Sequence, residues 1–430
     1  MERNTTPFPR LRAAAGCMAL LCLSACIQYA PAPLSPARDS VLWQAYSARL
    51  CRGKHSFTAQ ELERVGLLLN ADLNKARLTY AKSTEVSKFA GLWEDPSLAA
   101  DLERITGGPV SSRSLAPGLT IPVTGLPRLA AKVAEQYKEA DYYQMQAAEL
   151  DYRRALADKI LEVQVAHARL ELMRERQRVM RQEKEQADRL SRLGEVDQTD
   201  YHIICRRWGD SEQEVQQQET AHLKLHQELI ALLGLHPAVG DLEISDRLPS
   251  APPASPRVPS ADELAAAPSV RAQLAAYGAS ETELRTEIRK QYPQIKLSPG
   301  FMREDGENKV TLGLELDIPL WNRNREAIAR AHGDRALKAQ EAISAWHKLL
   351  QDAEALRQRM ALAQEHCRAE QERVSRLSEA MAQQEQLFAM GETTLPSLAE
   401  ARQEAYLRRL NYLDNLQELV SAQNAVKHLR

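Results

Sequence analysis

The chain has 430 residues, of which 27% are charged and only 5% are aromatic. This composition suits long helices better than two or three compact globular domains, whose cores would need more bulky side chains. The formal net charge is -2, and no run of lysine or arginine occurs. We therefore expect no nucleic-acid partner.

The N-terminal residues have the pattern of a bacterial export signal. Three arginines precede an apolar stretch from Ala13 to Leu23, which is too short to span a bilayer and is followed by Ser-Ala-Cys, ending at Cys26. We interpret residues 1–25 as a lipoprotein signal peptide and Cys26 as the lipidated residue; a plain signal peptide is the alternative. The lipoprotein pattern that this segment resembles implies sorting to the outer membrane, because residue 27 is isoleucine. Residues 26–57 are predicted to be an extended, lipidated tether.

Six cysteines occur in the sequence. Cys17 and Cys22 lie in the predicted signal peptide, so Cys51, Cys205 and Cys367 accompany Cys26 in the mature chain and allow at most one disulfide. No Cys-x-x-Cys motif or histidine cluster indicates a zinc or redox site. We predict that these three cysteines are small apolar residues and that no metal is bound.

Residues 96–233 and 293–430 are two copies of one unit, in which residue n aligns with residue n + 197 without a gap. Few identities remain, but their positions match. They include Pro96 with Pro293, Arg128 with Arg325, Ile121-Pro122 with Ile318-Pro319, and Gly194-Glu195 with Gly391-Glu392. Each copy predicts a strand pair, a helix of about sixty residues, a glycine turn and a returning helix.

Helix starts before each strand pair complete the domain boundaries. Thr58 and Ser260 are predicted N-caps, and the first of these helices is expected to run to about Phe89. Six prolines between residues 236 and 259 exclude a helix or a central strand there. The predicted domains are a first repeat at 58–235, a linker at 236–259 and a second repeat at 260–430.

Strict alternation from Lys309 to Leu320 predicts a β-strand with one apolar and one polar face. Its length suits a tilted strand crossing an outer membrane, with the two faces toward lipid and water. A weaker strand precedes it, joined by a polar loop at 304–308. The same offset predicts a strand pair in the first copy, ending near Val123. Four strands cannot close a barrel and lipid tolerates no open sheet edge, so several chains must combine their strands.

The segment from Arg128 to Leu193 contains no proline or glycine, and its apolar residues recur at three- and four-residue steps. It predicts a helical rod of roughly 100 Å, and Arg325–Met390 is the equivalent rod in the second copy. His167 falls on the apolar stripe, where packing is the more frequent role. The rods end at Gly194 and Gly391, which favour helix stops or, given their matched positions, functional tips. Asp197 and its offset equivalent Thr394 are the predicted N-caps of the returning helices.

These features together resemble the TolC-like outer-membrane factors, the exit ducts of bacterial tripartite efflux pumps and type I secretion systems. The most specific segments are the lipobox, the paired glycine turns, Leu-Leu-Gly-Leu ending at Leu235, and Leu314–Arg325. The resemblance implies a mainly α fold with a small membrane β-barrel contribution. Its long antiparallel helical hairpins would form a periplasmic tunnel, and a homotrimer with four strands per chain would form a twelve-stranded barrel.

The same resemblance implies a periplasmic membrane-fusion adaptor, an inner-membrane transporter of the RND type and outer-membrane lipid as partners. Adaptor-docking tips in this family often carry Arg-Leu-Ser or Arg-Leu-Gly, and Arg192-Leu193-Gly194 matches that pattern ahead of Glu195. The second tip, Met390-Gly391-Glu392, lacks the arginine.

Acidic rings that narrow the pore of similar channels would fall at Ser397 and Glu400, so one of two layers is missing. Asp200, the first-copy partner of Ser397, is another candidate for such a ring. Three carboxylates around a narrow pore would repel one another and attract cations. An ordinary solvated glutamate on a helix surface is the alternative for Glu400.

The sequence thus predicts a passive export duct without catalytic residues or cofactors. The main alternative, a periplasmic coiled-coil structural lipoprotein without a pore, explains the rods but not the alternating strand. An adaptor would have a single helical hairpin and substantial β-rich domains, which this chain lacks. An enzyme would have a group of residues that forms a nucleophile, a base or a metal site, and the sequence contains no such group. Pro319–Arg325 is somewhat closer to heavy-metal efflux members than to drug or protein exporters.

Overall fold

The computed structural model describes residues 29–51, 54, 56–104, 106, 111–240, 242–304, 306–316 and 318–429, so the predicted signal peptide and Cys26 lie outside the described residues. The helices are α1 (Pro36–Leu50), α2 (Ala59–Leu69), α3 (Ala71–Phe89), α4 (Leu126–Leu193), α5 (Gln198–Leu233), α6 (Ala261–Ala265), α7 (Pro268–Arg289), α8 (Arg325–Ala389) and α9 (Leu395–Lys427). The strands are β1 (Ser56–Phe57), β2 (Ser97–Arg104), β3 (Ser111–Ile121), β4 (Glu243–Ile244), β5 (Ile295–Glu304) and β6 (Glu307–Leu316).

The fold contains the predicted duplication. α4 and α8 are unbroken helices of 68 and 65 residues, and each measures about 100 Å at 1.5 Å per residue. Each is preceded by a strand pair and followed by a turn and a returning helix, α5 or α9. Nearer the sheet, α3, α4, α7 and α8 pack side by side in the same order as the strands that they join.

The helix predicted from Thr58 to Phe89 is in fact two helices. Thr58 is the predicted N-cap and forms a capping box, but Asn70 leaves the helical geometry and separates α2 from α3. The Asn70 side chain accepts the N–H of Leu73 at 3.0 Å and donates to the carbonyl of Leu232 at 2.9 Å. Asn70 therefore caps a new helix and holds it against the end of α5.

The two capping boxes make helix stability depend on pH. Hydrogen bonds from Lys54 and from the Thr58 backbone lower the pKa of Glu61 to about 2, and the Ser260 backbone and Arg257 do the same for Glu263. These carboxylates stabilise the folded chain above their unfolded pKa of about 4.3, and the contribution is lost as pH falls through about 2.

We therefore expect the melting temperature of the wild type to exceed that of a Glu61→Gln/Glu263→Gln variant at neutral pH. The difference should shrink as the pH is lowered from about 4.3 to about 2. Melting curves followed by circular dichroism over this range measure it. A difference that is unchanged at pH 2 would contradict the assigned role of the caps.

β2, β3, β5 and β6 form one antiparallel sheet in that order, so β2 and β6 are its edges. The strand predicted at 309–320 is β6, which begins and ends earlier than expected. Pro319 has no N–H to donate, and residues 318–320 lie outside the sheet. β3 likewise ends before Pro122, so Val123 is not in a strand. The predicted polar loop at 304–308 is a tighter turn, because Glu304 already pairs with Glu307.

The cross-strand register places every leucine, isoleucine and valine of the four strands on one face, together with Phe301. This apolar face consists of Leu98, Ala100, Leu102, Leu115, Pro117, Leu119, Ile121, Ile295, Leu297, Pro299, Phe301, Val310, Leu312, Leu314 and Leu316. In the central strands the apolar face is the more exposed one: Leu115 and Phe301 are exposed by 46% and 49%, whereas Ser114 and Met302 are half-buried. The apolar face is therefore the outer face of the sheet.

Residues 36–50, predicted as part of an extended tether, form the helix α1. Its first residue is a proline, which suits the first helical turn because the N–H there needs no partner. The indole N–H of Trp43 donates to the carbonyl of Gly234 at 2.8 Å, and Ser47 Oγ accepts the N–H of His236 at 3.1 Å. These contacts fix α1 to the end of α5.

The predicted linker at 236–259 is also more ordered than its prolines indicate. It contains a 3-10 turn and the two-residue strand β4, which pairs in parallel with β1. Farther along, Gln423 Nε2 donates to the carbonyl of Pro253 at 3.1 Å. Gln164 Nε2, on α4, donates to the carbonyl of Asp246 at 2.8 Å. The segment therefore contacts both copies.

Among the residues that the structure describes, no helix has a stretch that is both long enough and apolar enough to pass through a membrane.

Candidate functional site

Both turns at the ends of the long helices have the same capping geometry. Gly194 and Gly391 have φ angles of 74° and 76°, in the left-handed region that favours glycine. Each glycine N–H donates to the carbonyl three residues back, at 3.2 and 3.0 Å, and each following glutamate N–H donates to the carbonyl five residues back, at 2.9 Å in both turns. Two Schellman motifs therefore end the two rods, which confirms the predicted glycine caps.

The returning helices begin where the sequence indicated. Asp197 and Thr394 occupy the N-cap positions of α5 and α9, but neither side chain accepts a capping hydrogen bond. Their predicted position is correct, whereas the predicted side-chain cap is not formed.

The tips present exposed side chains of mixed chemistry. Arg192 and Glu195 are exposed in the first tip, and Leu193 is exposed by 71%. In the second tip, Met390 is exposed by 64% and Glu392 is also exposed. Each tip thus offers one large apolar side chain beside an acidic one, and only the first adds an arginine.

A small apolar cluster joins the two tips. Ala187 on α4, Ile204 on α5 and Leu395 on α9 are buried together, with Tyr201 and Phe388 packed against them. The sequence placed the tips at matching positions along the two copies but did not show that they pack side by side. Beside this cluster, hydrogen bonding with the side chains of Cys205 and Asp188 raises the pKa of Tyr201 to about 12.

Just beyond this cluster, a partly buried ion-pair network links the two hairpins. Arg402 on α9 donates to Glu183 on α4 and to Glu385 on α8, both at 2.9 Å. The Glu183 side chain is only 7% exposed. Burial by itself would lower the pKa of Arg402, but the hydrogen bonds to the two carboxylates outweigh it and raise the pKa. We did not predict this network from the sequence.

A second contact joins the same helices farther from the tips. The guanidinium of Arg176 on α4 lies 4.3 Å from the ring centre of Tyr406 on α9 and donates to Glu214 on α5 at 2.6 Å. Such a cation–π contact stabilises the packing of two helices when it is partly desolvated. The hairpins are therefore held together by charged as well as apolar contacts.

The predicted constriction residues lie on the first two turns of the returning helices. Asp200 is half-buried in α5, whereas Ser397 and Glu400 are exposed on α9. Leu398 and Ala399, between them, are buried. Ser397 and Glu400 therefore lie on the side of α9 that faces away from the core of its own chain.

The inner face of the sheet is polar and carries cross-strand pairs. Lys309 donates to Glu304 at 2.6 Å, and Ser114 donates to Asp101 at 3.0 Å. The sheet therefore has one face suited to lipid and one suited to water.

The apolar stripe predicted along α4 is buried at Leu156, Ile160 and Leu170, but the interpretation of His167 as a packing residue is wrong. Its side chain is 58% exposed, with Nε2 3.4 Å from a carboxylate oxygen of Glu171. At this point the buried side of α4 is formed by the neighbouring residues Val165 and Ala166.

Among the described residues, no group of three or more His, Cys, Asp or Glu side chains could hold a metal ion. Cys51, Cys205 and Cys367 are all free in this part of the chain. Cys367 is fully buried, as expected for a small apolar residue, and burial raises the pKa of its thiol.

A sequence model of the outer membrane efflux protein family matches residues 260–429. The match covers the second repeat, including the tip at Gly391 and the strands β5 and β6. No curated protein sequence matches the chain.

Solved structures with the same fold include two membrane channels and a further outer membrane protein. CusC, whose structures describe transmembrane channel formation, has 16% identity and a TM-score of 0.72, with 87% of this chain and 92% of CusC covered. The outer membrane protein VceC of Vibrio cholerae has 15% identity and a TM-score of 0.70, covering 90% and 95% of the two chains. The CmeC outer membrane channel of Campylobacter jejuni has 12% identity and a TM-score of 0.71, covering 94% and 89%.

Proposed function

We propose that this protein is the outer-membrane channel of a tripartite efflux system, because residues 260–429 match the sequence model of the outer membrane efflux protein family and most of the chain has the fold of solved outer-membrane channels. It acts as a passive duct, and an inner-membrane transporter supplies the energy. The single observation that carries this function is a sheet with an apolar outer face, a polar inner face and two unpaired edges, continued by rods of about 100 Å.

The open edges support a homotrimer. β2 of one chain would pair with β6 of the next, so that three four-stranded sheets close a twelve-stranded barrel without a free edge in lipid. The rods would then form a tunnel through the periplasm. A periplasmic structural lipoprotein without a pore is not favoured, because it would have no use for a sheet with an apolar outer face.

The lipid anchor and the domain boundaries complete this proposal. Diacylation of Cys26 after removal of residues 1–25 would attach the chain to the outer membrane, and within the lipidated N-terminal segment 26–57 the helix α1 is fixed to the end of α5. The repeats at 58–235 and 260–430, joined by 236–259, would each supply one strand pair and one rod. The protein has no catalytic role, cofactor or resident metal in this proposal.

The tips are the proposed docking surface for a periplasmic membrane-fusion adaptor and, through it, an RND-type transporter. Their exposed side chains and their distance from the sheet support this role. Asp200, Ser397 and Glu400 lie just past the tips, where three copies of the chain would surround a narrow pore end. Carboxylates there would favour cations over anions.

Replacing both tip glycines with valine should reduce adaptor binding and export while leaving the trimer in the membrane. A β-branched residue in left-handed geometry costs about 1–2 kcal/mol at each position, and nothing lies within 4 Å of a Cβ at Gly194 or Gly391, so the effect is on backbone shape rather than packing. Pull-down of the adaptor and dye-efflux assays measure it. Gly209→Val, also on open surface but within α5, is the control; unchanged export in the tip variant would exclude the tip role.

The function itself is tested by measuring conductance. Purified trimer reconstituted in a planar bilayer should give discrete channel openings, and deletion of the gene should sensitise cells to metals, drugs or dyes. A protein that inserts as a trimer but conducts no ions would contradict the duct and leave the structural alternative.

A further inference from the structure

The apolar outer face of the sheet ends in three arginines at its hairpin end. In the cross-strand register Arg113 pairs with Leu102 on one side and with Arg303 on the other, and Arg104 pairs with Ser111 one row farther out. Directly paired residues point to the same face of a sheet, so all three arginines lie on the apolar face. All three are exposed. We call these residues the arginine row.

Two of these arginines lie directly opposite each other on neighbouring strands. Like charges in such a pair destabilise a sheet unless an anion lies between them. Nearby carboxylates do not fill that role, because Glu103 and Glu304 belong to the polar inner face. Within the residues that the structure describes, no member of the arginine row forms an ion pair with a carboxylate. The outer face thus carries a concentrated positive charge, whereas the carboxylates are on the inner face.

The opposite end of the same sheet has a different chemistry. Trp93, Tyr292 and Trp321, which lie where strands meet helices, are exposed by 59%, 58% and 93%. Aromatic side chains of this kind favour a membrane interface. The apolar face is therefore bounded by aromatic residues at its helical end and by arginines at its hairpin end, and the two boundaries differ in charge.

We propose that the arginine row binds the phosphate groups of the phosphorylated glycolipid, lipopolysaccharide, in the outer leaflet of the outer membrane. The inference rests on the proposed function, which places the rods in the periplasm and therefore the hairpin end at the cell surface. A guanidinium presents a planar fork of donors that matches a phosphate, and arginine is therefore over-represented where phosphates are bound. The acyl chains of the same lipid would lie along the apolar face below the arginine row.

Charge complementarity also explains the distribution of charges in the hairpins. Arginines on the outer face attract lipid phosphates, whereas carboxylates on that face would repel them. The inner carboxylates are satisfied within the chain, since Ser112 donates to Glu103 at 3.4 Å and Lys309 donates to Glu304 at 2.6 Å. The segregation of charge between the two faces therefore matches a lipid phosphate outside and water inside.

The test compares lipid binding by the full-length trimer purified from outer membranes. Wild type and an Arg113→Gln/Arg303→Gln variant are checked for trimer and export, and the lipopolysaccharide retained per trimer is then measured by native mass spectrometry. Loss of two charge-assisted contacts should reduce affinity for added bisphosphorylated lipid A on the order of tenfold or more. Lys296→Gln/Lys309→Gln removes the same charge from the inner face and should keep the wild-type affinity.

The outcomes separate this site from the proposed function. A variant that keeps trimer and export but loses lipid A binding supports the arginine row. Equal binding by wild type and variant, an equal loss in the inner-face control, or equal wild-type affinity for dephosphorylated lipid A or phosphatidylglycerol vesicles would each overturn it while leaving the duct intact. A wild type that forms neither a trimer nor a lipid complex would overturn both.

Discussion

A Leu312→Arg variant should fail to assemble into trimers in the outer membrane. Leu312 lies on the apolar face opposite Pro299, near the middle of β6, and its side chain is exposed by 75%. An arginine at the bilayer midplane of a barrel costs about 2–4 kcal/mol. Because the trimer would contain three copies, the total is about 6–12 kcal/mol, enough to compete with the whole stability of a small assembly. The effect is measured by the fraction of trimer in membrane extracts and by the yield of refolding from urea into lipid vesicles.

The neighbouring residue provides the matched control. Thr311 pairs with Gly300 on the inner face, so Thr311→Arg adds the same side chain one position away but toward water. It should assemble close to normally. Equal failure of both variants would indicate that any arginine disrupts β6, and normal assembly of Leu312→Arg would contradict a lipid-facing outer face.

The strands and rods could be predicted because their signals are local. The alternation of leucine with polar residues in β6 fixes which side chains share a face, and the register of the whole sheet follows from it. The glycine caps were equally predictable, because Gly194 and Gly391 need a left-handed backbone that few other residues adopt.

Elements that depend on distant contacts were missed. The break at Asn70 depends on a hydrogen bond to Leu232, 162 residues away in sequence, and α1 depends on the bond from Trp43 to Gly234, 191 residues away. Prolines after Cys26 indicated an extended chain, and no local pattern showed that a helix would be fixed there by α5. Tertiary contacts decided both cases.

In the candidate site, too, some features could be predicted from the sequence and others depend on distant contacts. The tips were located from sequence because Gly194 and Gly391 end two long helices at matching positions of the two copies. The link between the hairpins could not be located from the sequence. The contact of Arg402 with Glu183 spans 219 residues and depends on how far one rod is shifted along the other. Glu400, by contrast, was found through family resemblance alone, and its role as a pore carboxylate stays a prediction.

Replacing Arg402 with alanine should destabilise the tip end of the tunnel more than the loss of a fully exposed charge does. The substitution leaves Glu183, which is only 7% exposed, without its cation. Breaking a buried pair by removing one partner costs about 3–5 kcal/mol, and the partial exposure of Arg402 places the expected value near about 3 kcal/mol. Denaturant unfolding and hydrogen exchange near the tip end of α4 measure the loss.

A double-mutant cycle isolates the buried charge as the cause. Glu183→Gln combined with Arg402→Ala removes the stranded carboxylate, so the double variant should recover part of the stability lost in Arg402→Ala. Arg376→Ala removes an arginine whose side chain is 75% exposed beside an equally exposed Glu372, and it should cost less than about 1 kcal/mol. If Arg402→Ala is as mild as Arg376→Ala, the hairpins are held together by the apolar cluster around Ala187 rather than by the ion pair.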